Sequence, residues 1–155
     1  MHLNTVPVAK AELLIRRPAE EVFEAFVDPA ITTKFWFTKS SGRLEPGKKV
    51  RWDWEMFGVG TDVVVNVVDA PRRLVIAWGE QGKASTVEWT FTGRPDGTTL
   101  VQVENSGFVG SGDELVQQAL DSTGGFTLVL ANLKALLEHG IALNLIRDRF
   151  PNGHG

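Results

Sequence analysis

The chain of 155 residues contains no cysteine and no tyrosine. Without cysteine it forms no disulfide, offers no thiolate nucleophile and holds no metal through sulfur. Serine, threonine, lysine and the carboxylates are the remaining choices for a nucleophile. The absence of cysteine also fits a reducing compartment, so we expect a cytoplasmic location.

An excess of positive charge and a long apolar run are also missing. Sixteen Lys and Arg against nineteen Asp and Glu give a net charge of −3. This balance argues against a general nucleic-acid binder, because such proteins present a basic face. No stretch approaches the roughly eighteen apolar residues that a membrane span needs, so we predict none. Residues 1–17 lack a basic segment followed by an apolar one, and we expect no signal peptide.

Recognisable catalytic and cofactor motifs are absent as well. The sequence has no G-x-S-x-G element, and His2, His139 and His154 are too widely spaced for a metal-binding pattern. The short G-x-G elements at 58–60 and 110–112 lack the rest of a phosphate-binding loop and indicate a hairpin turn and a helix entry. We therefore predict no catalytic residue, no metal and no cofactor. Whether the chain is an enzyme stays open, with the balance against it.

The residues that are present predict an α+β fold that begins with one strand and two short helices. Val8–Arg16 has the pattern of a strand. Pro18 suits the first position of a helix, in which apolar residues recur at helical spacing until Asp28 and Pro29 end it. The aromatic segment Pro29–Phe37 predicts a second short helix or a turn.

Alternating patterns then predict a run of five or six antiparallel strands. Trp52 and Trp54 alternate with charged residues, and Trp89 and Phe91 alternate with polar ones. Asp96-Gly97 is a strong hairpin signal. We predict the strands near residues 50–55, 61–69, 74–78, 87–92 and 101–105.

A capping box opens the last long element. Ser111 and Glu114 predict a helix that continues to about Glu138, and Gly140 is suited to end it. The pair Gly124-Gly125 lies in its middle, where glycine is unfavourable. Either the missing side chains widen a cavity or let the helix flex as a gate, or the helix crosses the sheet so closely that no Cβ fits; we favour the close crossing. Residues 141–155 form a partly apolar tail of what we expect to be one domain over residues 1–155.

The order of these elements predicts a curved sheet with the long helix on its concave face and the two short helices closing one end. Four segments carry a resemblance over nearly the whole chain: RRPAEEVFEAFVDPAITTKFW (16–36), DAPRRLVIAWG (69–79), VEWTFTGRPDGTTLVQVENSGF (87–108) and GGFTLVLANLKALLE (124–138). With these segments the chain resembles the Bet v 1-like, START-related (SRPBCC) helix-grip superfamily. Within that superfamily it is similar to bacterial domains related to the C-terminal domain of the activator of Hsp90 ATPase.

The resemblance implies six to seven strands around a long C-terminal helix, with a cavity that takes lipophilic small molecules. Two positions depart from the family pattern. Phe126 stands where the family often has tryptophan, and Asn105 stands where it often has histidine, which lowers the odds of acid–base chemistry there. The Hsp90 activator carries an additional N-terminal domain that supplies much of the chaperone contact. Because the residues before Val8 are too few for such a domain, we expect no Hsp90 interaction.

The chain has nine phenylalanines and five tryptophans, and this aromatic set can be interpreted in two ways. The rings can fill a packed core, or, as a set, they can wall an apolar pocket between a curved sheet and one helix. On the second interpretation we predict twelve cavity-lining residues: Phe26, Phe35, Phe37, Trp52, Trp54, Trp78, Trp89, Phe91, Val103, Asn105, Phe126 and Leu130.

Asn105 is the most interesting polar member, because it shares the inward parity of Val101 and Val103. A buried amide needs a protein, water or ligand partner. The alternative is that Asn105 caps the turn at Ser106-Gly107, and both interpretations stay open. Two threonines, Thr61 and Thr99, are weaker candidates by the same parity. A charged set on the outer face should be solvated, namely Arg51, Asp53 and Glu55.

The function that we expect is binding of a small lipophilic molecule, flat and aromatic or isoprenoid-like, in the cavity. A first alternative is an enzyme of the cyclase or dehydratase type, in which Asn105 or an inward carboxylate assists proton transfer. A second alternative is a stress- or chaperone-associated protein-interaction module or a homodimer. Its feature is the apolar tail Ile141–Phe150.

Overall fold

An antiparallel sheet of seven strands organises the structure, a computed structural model that describes residues 2–80 and 82–153. The predicted α+β class and strand number are confirmed. The elements in chain order are β1 (Ala9–Ile15), α1 (Ala19–Val27), α2 (Pro29–Thr32), β2 (Lys39–Ser40), β3 (Lys49–Trp54), β4 (Val59–Asp69), β5 (Arg73–Trp78), β6 (Ser85–Gly93), β7 (Thr99–Ser106), α3 (Gly112–His139) and α4 (Leu145–Asp148).

The sheet order is β1-β7-β6-β5-β4-β3-β2, so every strand from β2 to β7 pairs with its neighbour in sequence. The first strand closes the sheet by pairing with the last, in a register from Ala9 opposite Asn105 to Ile15 opposite Thr99. A register shift between Val65 and Val67 interrupts the pairing of β4 with β5. Such irregularities bend a strand, and here the bend helps the sheet to curve around α3.

Two short helices cover one end of the sheet. The sequence predicted Pro18 as the first helical residue of α1. In the structure Pro18 is instead the N-cap, one position before the helix. Asp28 ends α1 and caps α2, since its Oδ1 accepts a hydrogen bond from the Ala30 N–H at 2.9 Å. The second helix stops at Thr32, whose hydroxyl donates to the Ala25 carbonyl at 2.6 Å and ties the two helices together. The aromatic residues 35–37 therefore lie in a turn.

The long helix α3 begins and ends as its sequence signals predict. Ser111 and Glu114 form the capping box with reciprocal bonds of 3.2 and 3.3 Å. Gly140 ends the helix in the left-handed conformation, with φ of 65°. The helix continues through Gly124-Gly125 without interruption. Among the described helices, none is long and apolar enough to cross a lipid bilayer.

The main core lies between the concave face of the sheet and the helices α1, α2 and α3. It is unusually aromatic, and its largest fully buried side chains are Trp52, Trp89, Phe26 and Phe37. A smaller cluster at the start of α3 joins Leu115 to β1 and to the residues after β7. Between these two clusters, the helix and the sheet enclose an open volume.

His154, one of the three histidines considered in the sequence, lies outside the described residues.

Candidate ligand cavity

A cavity of about 530 Å³ opens between the concave face of the sheet and the N-terminal half of α3. Its floor and one wall come from the turn after α2, from β3 to β7 and from the connections between them. Its other wall is α3, and α4 closes part of the rim. The lining residues are Trp36, Trp54, Thr61, Trp78, Gly79, Lys83, Ser85, Asn105, Phe108, Gln118, Asp121, Ser122, Gly125, Phe126, Val129 and Ile146.

Large rings form the apolar part of the wall. Trp78 lies against Phe126 with 5.7 Å between ring centroids, and Trp54 lies 6.5 Å from Trp78. The ring of Trp36 contacts both, with centroid distances of 5.6 Å to Phe126 and 5.7 Å to Trp78. Because these rings contact one another as well as the cavity, they hold a preformed apolar surface.

Sequence reasoning missed Trp36, although it named both of its neighbours. Trp36 lines the cavity, whereas Phe35 and Phe37 are buried behind it at 2% and 1% exposure. The segment is a turn, so neither the strand period nor the helix period tells which of three consecutive rings faces the open volume. The usable signal is the run of three aromatic residues itself.

The twelve predicted lining residues divide into two groups. Four of them line the cavity: Trp54, Trp78, Asn105 and Phe126. The other eight lie in the packed core instead, each at most 3% exposed: Phe26, Phe35, Phe37, Trp52, Trp89, Phe91, Val103 and Leu130. Strand parity correctly placed Trp52, Trp89, Phe91 and Val103 on the concave face, but it does not tell how far along that face the helix packs down. Contact of a ligand with any of the twelve stays a prediction.

Asn105 anchors the polar end of the cavity and is only 2% exposed. Its Nδ2 donates to the Ser85 hydroxyl at 3.0 Å and to the Thr86 carbonyl at 2.8 Å, and its Oδ1 accepts from the Ser122 hydroxyl at 2.8 Å. Protein partners on β6 and α3 therefore satisfy the amide, and it does not cap the turn at Ser106-Gly107. The network fixes the height of α3 above the sheet at this point.

Two charged side chains, Lys83 and Asp121, line the cavity at its rim. Asp121 accepts a hydrogen bond from the Gln117 amide at 2.8 Å. The ammonium of Lys83 forms no ion pair with a carboxylate in the described part of the chain. The rim thus offers a cation and a carboxylate above an aromatic interior.

The remaining polar candidates lie as follows. Thr61 lines the cavity, and its hydroxyl accepts the Gly79 N–H at 3.0 Å. Thr99 lies away from it, because its buried hydroxyl donates to the Arg17 carbonyl. Arg51 and Asp53 form an exposed ion pair of 3.4 Å. Glu55 begins a short 3-10 turn rather than continuing β3.

Within the described ranges, four carboxyl groups have a pKa below the usual range, and each has a nearby hydrogen-bond donor. The Arg43 guanidinium lowers the pKa of Glu24, the Thr98 hydroxyl and N–H lower that of Asp96, and the Ser111 cap lowers that of Glu114. Burial raises the pKa of Glu138, but bonds from the Arg16 N–H and the Lys134 ammonium outweigh it. None of these four groups lines the cavity, so they give no support to an enzyme with a cavity acid. In residues 2–80 and 82–153, no three His, Asp or Glu side chains are grouped as metal ligands.

The glycine pair in α3 corrects the interpretation that we favoured from the sequence. A Cβ built on Gly124 or Gly125 meets nothing within 4 Å, so no close helix–sheet crossing requires glycine here. Gly125 lines the cavity, and the missing side chain keeps that wall open. The widening interpretation, and not the crossing, agrees with the structure.

The tail after α3 folds back onto its own domain. Ile146 of α4 packs against the main core and lines the cavity. Further along, the rings of Phe150 and Phe57 meet edge to face at 5.8 Å. A tail that is occupied in this way weakens the interpretation of Ile141–Phe150 as a docking segment for another chain.

An antiparallel sheet wrapped around one long C-terminal helix, with a cavity between them, defines the SRPBCC helix-grip class. The model of the family "Activator of Hsp90 ATPase homolog 1-like protein" matches residues 16–138, and the chain belongs to this family. No curated protein matches the chain.

Solved structures place the chain among relatives with the same fold. Protein SSP2350 from Staphylococcus saprophyticus is 29% identical with a TM-score of 0.76, over 88% of this chain and 96% of that one. DynU16, a protein of the dynemicin biosynthetic locus, is 26% identical with a TM-score of 0.75; the match covers 87% of this chain but 48% of DynU16. The Aha1 dimer from Colwellia psychrerythraea is 16% identical with a TM-score of 0.72, over 86% of this chain and 98% of that one, and this likeness supports the fold alone.

Proposed function

We propose that this protein binds a small lipophilic molecule in the cavity between its sheet and α3. The observation that carries the proposal is an open volume of about 530 Å³ walled by Trp36, Trp54, Trp78 and Phe126. Burial of apolar ligand surface contributes about 25 cal/mol per Å² before the entropy costs of binding. Flat aromatic and isoprenoid-like molecules suit these walls, because both present apolar surface without demanding many hydrogen bonds.

The rim suits one polar group on such a molecule. Lys83 supplies a cation, Asp121 a carboxylate, and the Ser85 hydroxyl has a hydrogen to donate while its oxygen accepts from Asn105. An apolar body with a single hydroxyl, carbonyl or carboxylate group would therefore orient with that group towards the rim. A few placed polar groups around an apolar pocket commonly fix ligand orientation.

A cyclase- or dehydratase-type enzyme is the second candidate. Two observations favour it: Asp121 lines the cavity, and the relative DynU16 belongs to a biosynthetic locus. In this role the cavity would fold a polyketide-like substrate, and Asp121 or Asn105 would assist proton transfer. Asp121→Asn should then abolish turnover while leaving binding of the substrate within about threefold, because only a proton-transfer group is lost.

The interaction-module alternative has less support, because the tail is folded onto its own domain and the dimeric Aha1 relative is similar in fold alone. A homodimer and a cytoplasmic location stay predictions. Native mass measurement of the protein reports the oligomer directly.

The test of the binding proposal combines two measurements on the full chain. Native mass spectrometry of protein purified gently from its host should show a stoichiometric lipophilic adduct, which denaturing analysis then identifies. Tryptophan fluorescence titrations with 1-naphthol and with geraniol should saturate at one site. Gly125→Leu, which fills the cavity wall, should weaken binding about tenfold or more, since that is the burial free energy of roughly two methylene groups.

Thr127→Leu is the matched control, because Thr127 is an exposed position of α3 that does not line the cavity. It should leave both titrations unchanged. A clean apo mass together with unsaturable titrations would contradict the binding proposal.

A further inference from the structure

A second apolar depression of about 940 Å³ adjoins the cavity on the outer side of α3. We call it the outer groove. It lies between the β3–β4 turn, α3 and the tail. Its apolar lining includes Phe57, Val59, Leu120, Gly124 and Phe150.

The outer groove and the cavity share part of their walls. Trp54, Asp121, Gly125 and Ile146 line both. Asp121 and Gly125, one helical turn apart, are the α3 residues in this shared wall, and at Gly125 no side chain stands between the two volumes. A Cβ at Gly124 or Gly125 would meet open space, so the helix presents bare backbone where the two volumes adjoin.

The outer groove exposes apolar surface that a folded protein otherwise tends to bury. Leu120 is 63% exposed and Val59 is 42% exposed. Arg149, a charged member of the lining, lies over the ring of Phe150 at 4.7 Å and so presents its face to an aromatic ring. Contiguous exposed apolar surface next to a cavity is typical of a ligand-binding groove.

Resting on the proposed function, we propose that the outer groove holds the distal part of an elongated ligand whose other end occupies the cavity. The ligand class is then a chain-like lipophile, such as an isoprenoid or acyl chain, rather than a compact flat polycycle. The physical reason is the shared wall at Gly125: a ligand that occupies both volumes must bend around the helix backbone there. A flexible chain does so by bond rotation, whereas a rigid fused-ring system cannot.

The pair of adjacent glycines also supplies the test. Gly125→Leu places a side chain in the wall shared by both volumes, whereas Gly124→Leu places one in the outer groove alone. Both substitutions replace glycine inside a helix by a better helix former, so both variants should fold. Gly124→Ala is the matched control for helix propensity, because it adds only a Cβ that meets nothing within 4 Å.

The probes are geraniol and geranylgeraniol, which share a hydroxyl end and differ in chain length. Dissociation constants are measured by tryptophan fluorescence and checked by calorimetry. Gly124→Leu should weaken geranylgeraniol at least about tenfold, the equivalent of roughly two buried methylene groups, and leave geraniol within about twofold. Gly125→Leu should weaken both probes, and Gly124→Ala neither.

Equal effects of Gly124→Leu on the two probes, or no effect on either, would overturn the outer-groove proposal while leaving cavity binding in place. Failure of the wild-type protein to bind either geraniol or 1-naphthol, together with a clean apo mass, would instead overturn the proposed function, and this inference with it. The short probe therefore reports on the cavity, and the difference between the short and long probes reports on the outer groove.

Discussion

The two halves of α3 face the same sheet and are packed in opposite ways. From Phe126 onwards the helix buries a regular row of side chains, namely Phe126, Val129, Leu130, Asn132 and Leu133. Before Phe126 it buries only Leu115, and the residues between these two are half-buried or exposed. One amphipathic helix thus stabilises the fold with its C-terminal half and leaves room for a ligand with its N-terminal half.

The aromatic rings show the same division. In the packed half, Phe37 stacks on Trp52 at 4.4 Å with 16° between the rings, and both are about 1% exposed. Near the open half, Trp54 and Trp78 lie 6.5 Å apart at 60° and are half-buried. A high aromatic content therefore serves two purposes in one layer: dense packing at one end and a smooth cavity wall at the other.

The largest expected effect is the loss of a packed side chain. Leu133→Ala should lower the free energy of unfolding by about 2–5 kcal/mol, because Leu133 is fully buried and its truncation leaves a void. Urea unfolding measures the loss. Leu120→Ala, in the open half, is the control and should stay within about 0.5 kcal/mol. Equal losses at the two positions would contradict the division of α3.

Removing the amide that joins the sheet to the open half should come next. Asn105→Ala leaves the Ser122 hydroxyl and the Thr86 carbonyl without this partner, so we expect a loss of about 1–3 kcal/mol. Ser122→Ala removes one bond only and should cost less. Thermal unfolding checks both variants. An Asn105→Ala protein as stable as wild type would show that the network does not hold α3 in place.

The glycine pair should respond in the opposite direction. Gly124→Ala and Gly125→Ala should each raise the free energy of unfolding by up to about 1 kcal/mol, because alanine is the better helix former and its Cβ meets open space. Chemical denaturation provides the measurement. A decrease in stability would restore the close-crossing interpretation of these positions.

The smallest effect concerns pH and the packed end of α3. Glu138 has a lowered pKa, so its charged form favours folding; this stability is present above about pH 4.5, the group's ordinary value, and is lost as pH falls through the folded value. Glu138→Gln should flatten the acid side of the stability curve, because the variant has no carboxylate to protonate at this position. Denaturation between pH 3 and pH 7, an interval that spans roughly the carboxyl range, tests this. If acidification raised the stability of the wild type but not that of Glu138→Gln, the lowered pKa of Glu138 would be contradicted.

The sequence predicts the fold well because its signals are local. The capping box at Ser111, the left-handed stop at Gly140 and the hairpin at Asp96-Gly97 each act within a few residues, and the structure has all three. Strand alternation also identifies the inward face correctly. These features need no knowledge of distant partners.

The site was harder to predict, because it depends on what distant elements leave empty. Trp52 and Trp54 share one face of β3, yet Trp52 is 1% exposed in the core while Trp54 lines the cavity. The three partners of Asn105 lie 17, 19 and 20 residues away, so parity could name the residue but not its bonds. No periodic pattern reports a volume that side chains do not fill.

The pairing of β1 with β7 has a consequence for the order in which the protein assembles during synthesis. The first strand made pairs only with the last, since Ile15 lies opposite Thr99 and Ala9 opposite Asn105. The strands β2 to β7 pair in the order in which they are made, whereas β1 must wait with its backbone groups in water until most of the chain exists. During synthesis on a ribosome, β1 can therefore complete its pairing only after β7 has been made.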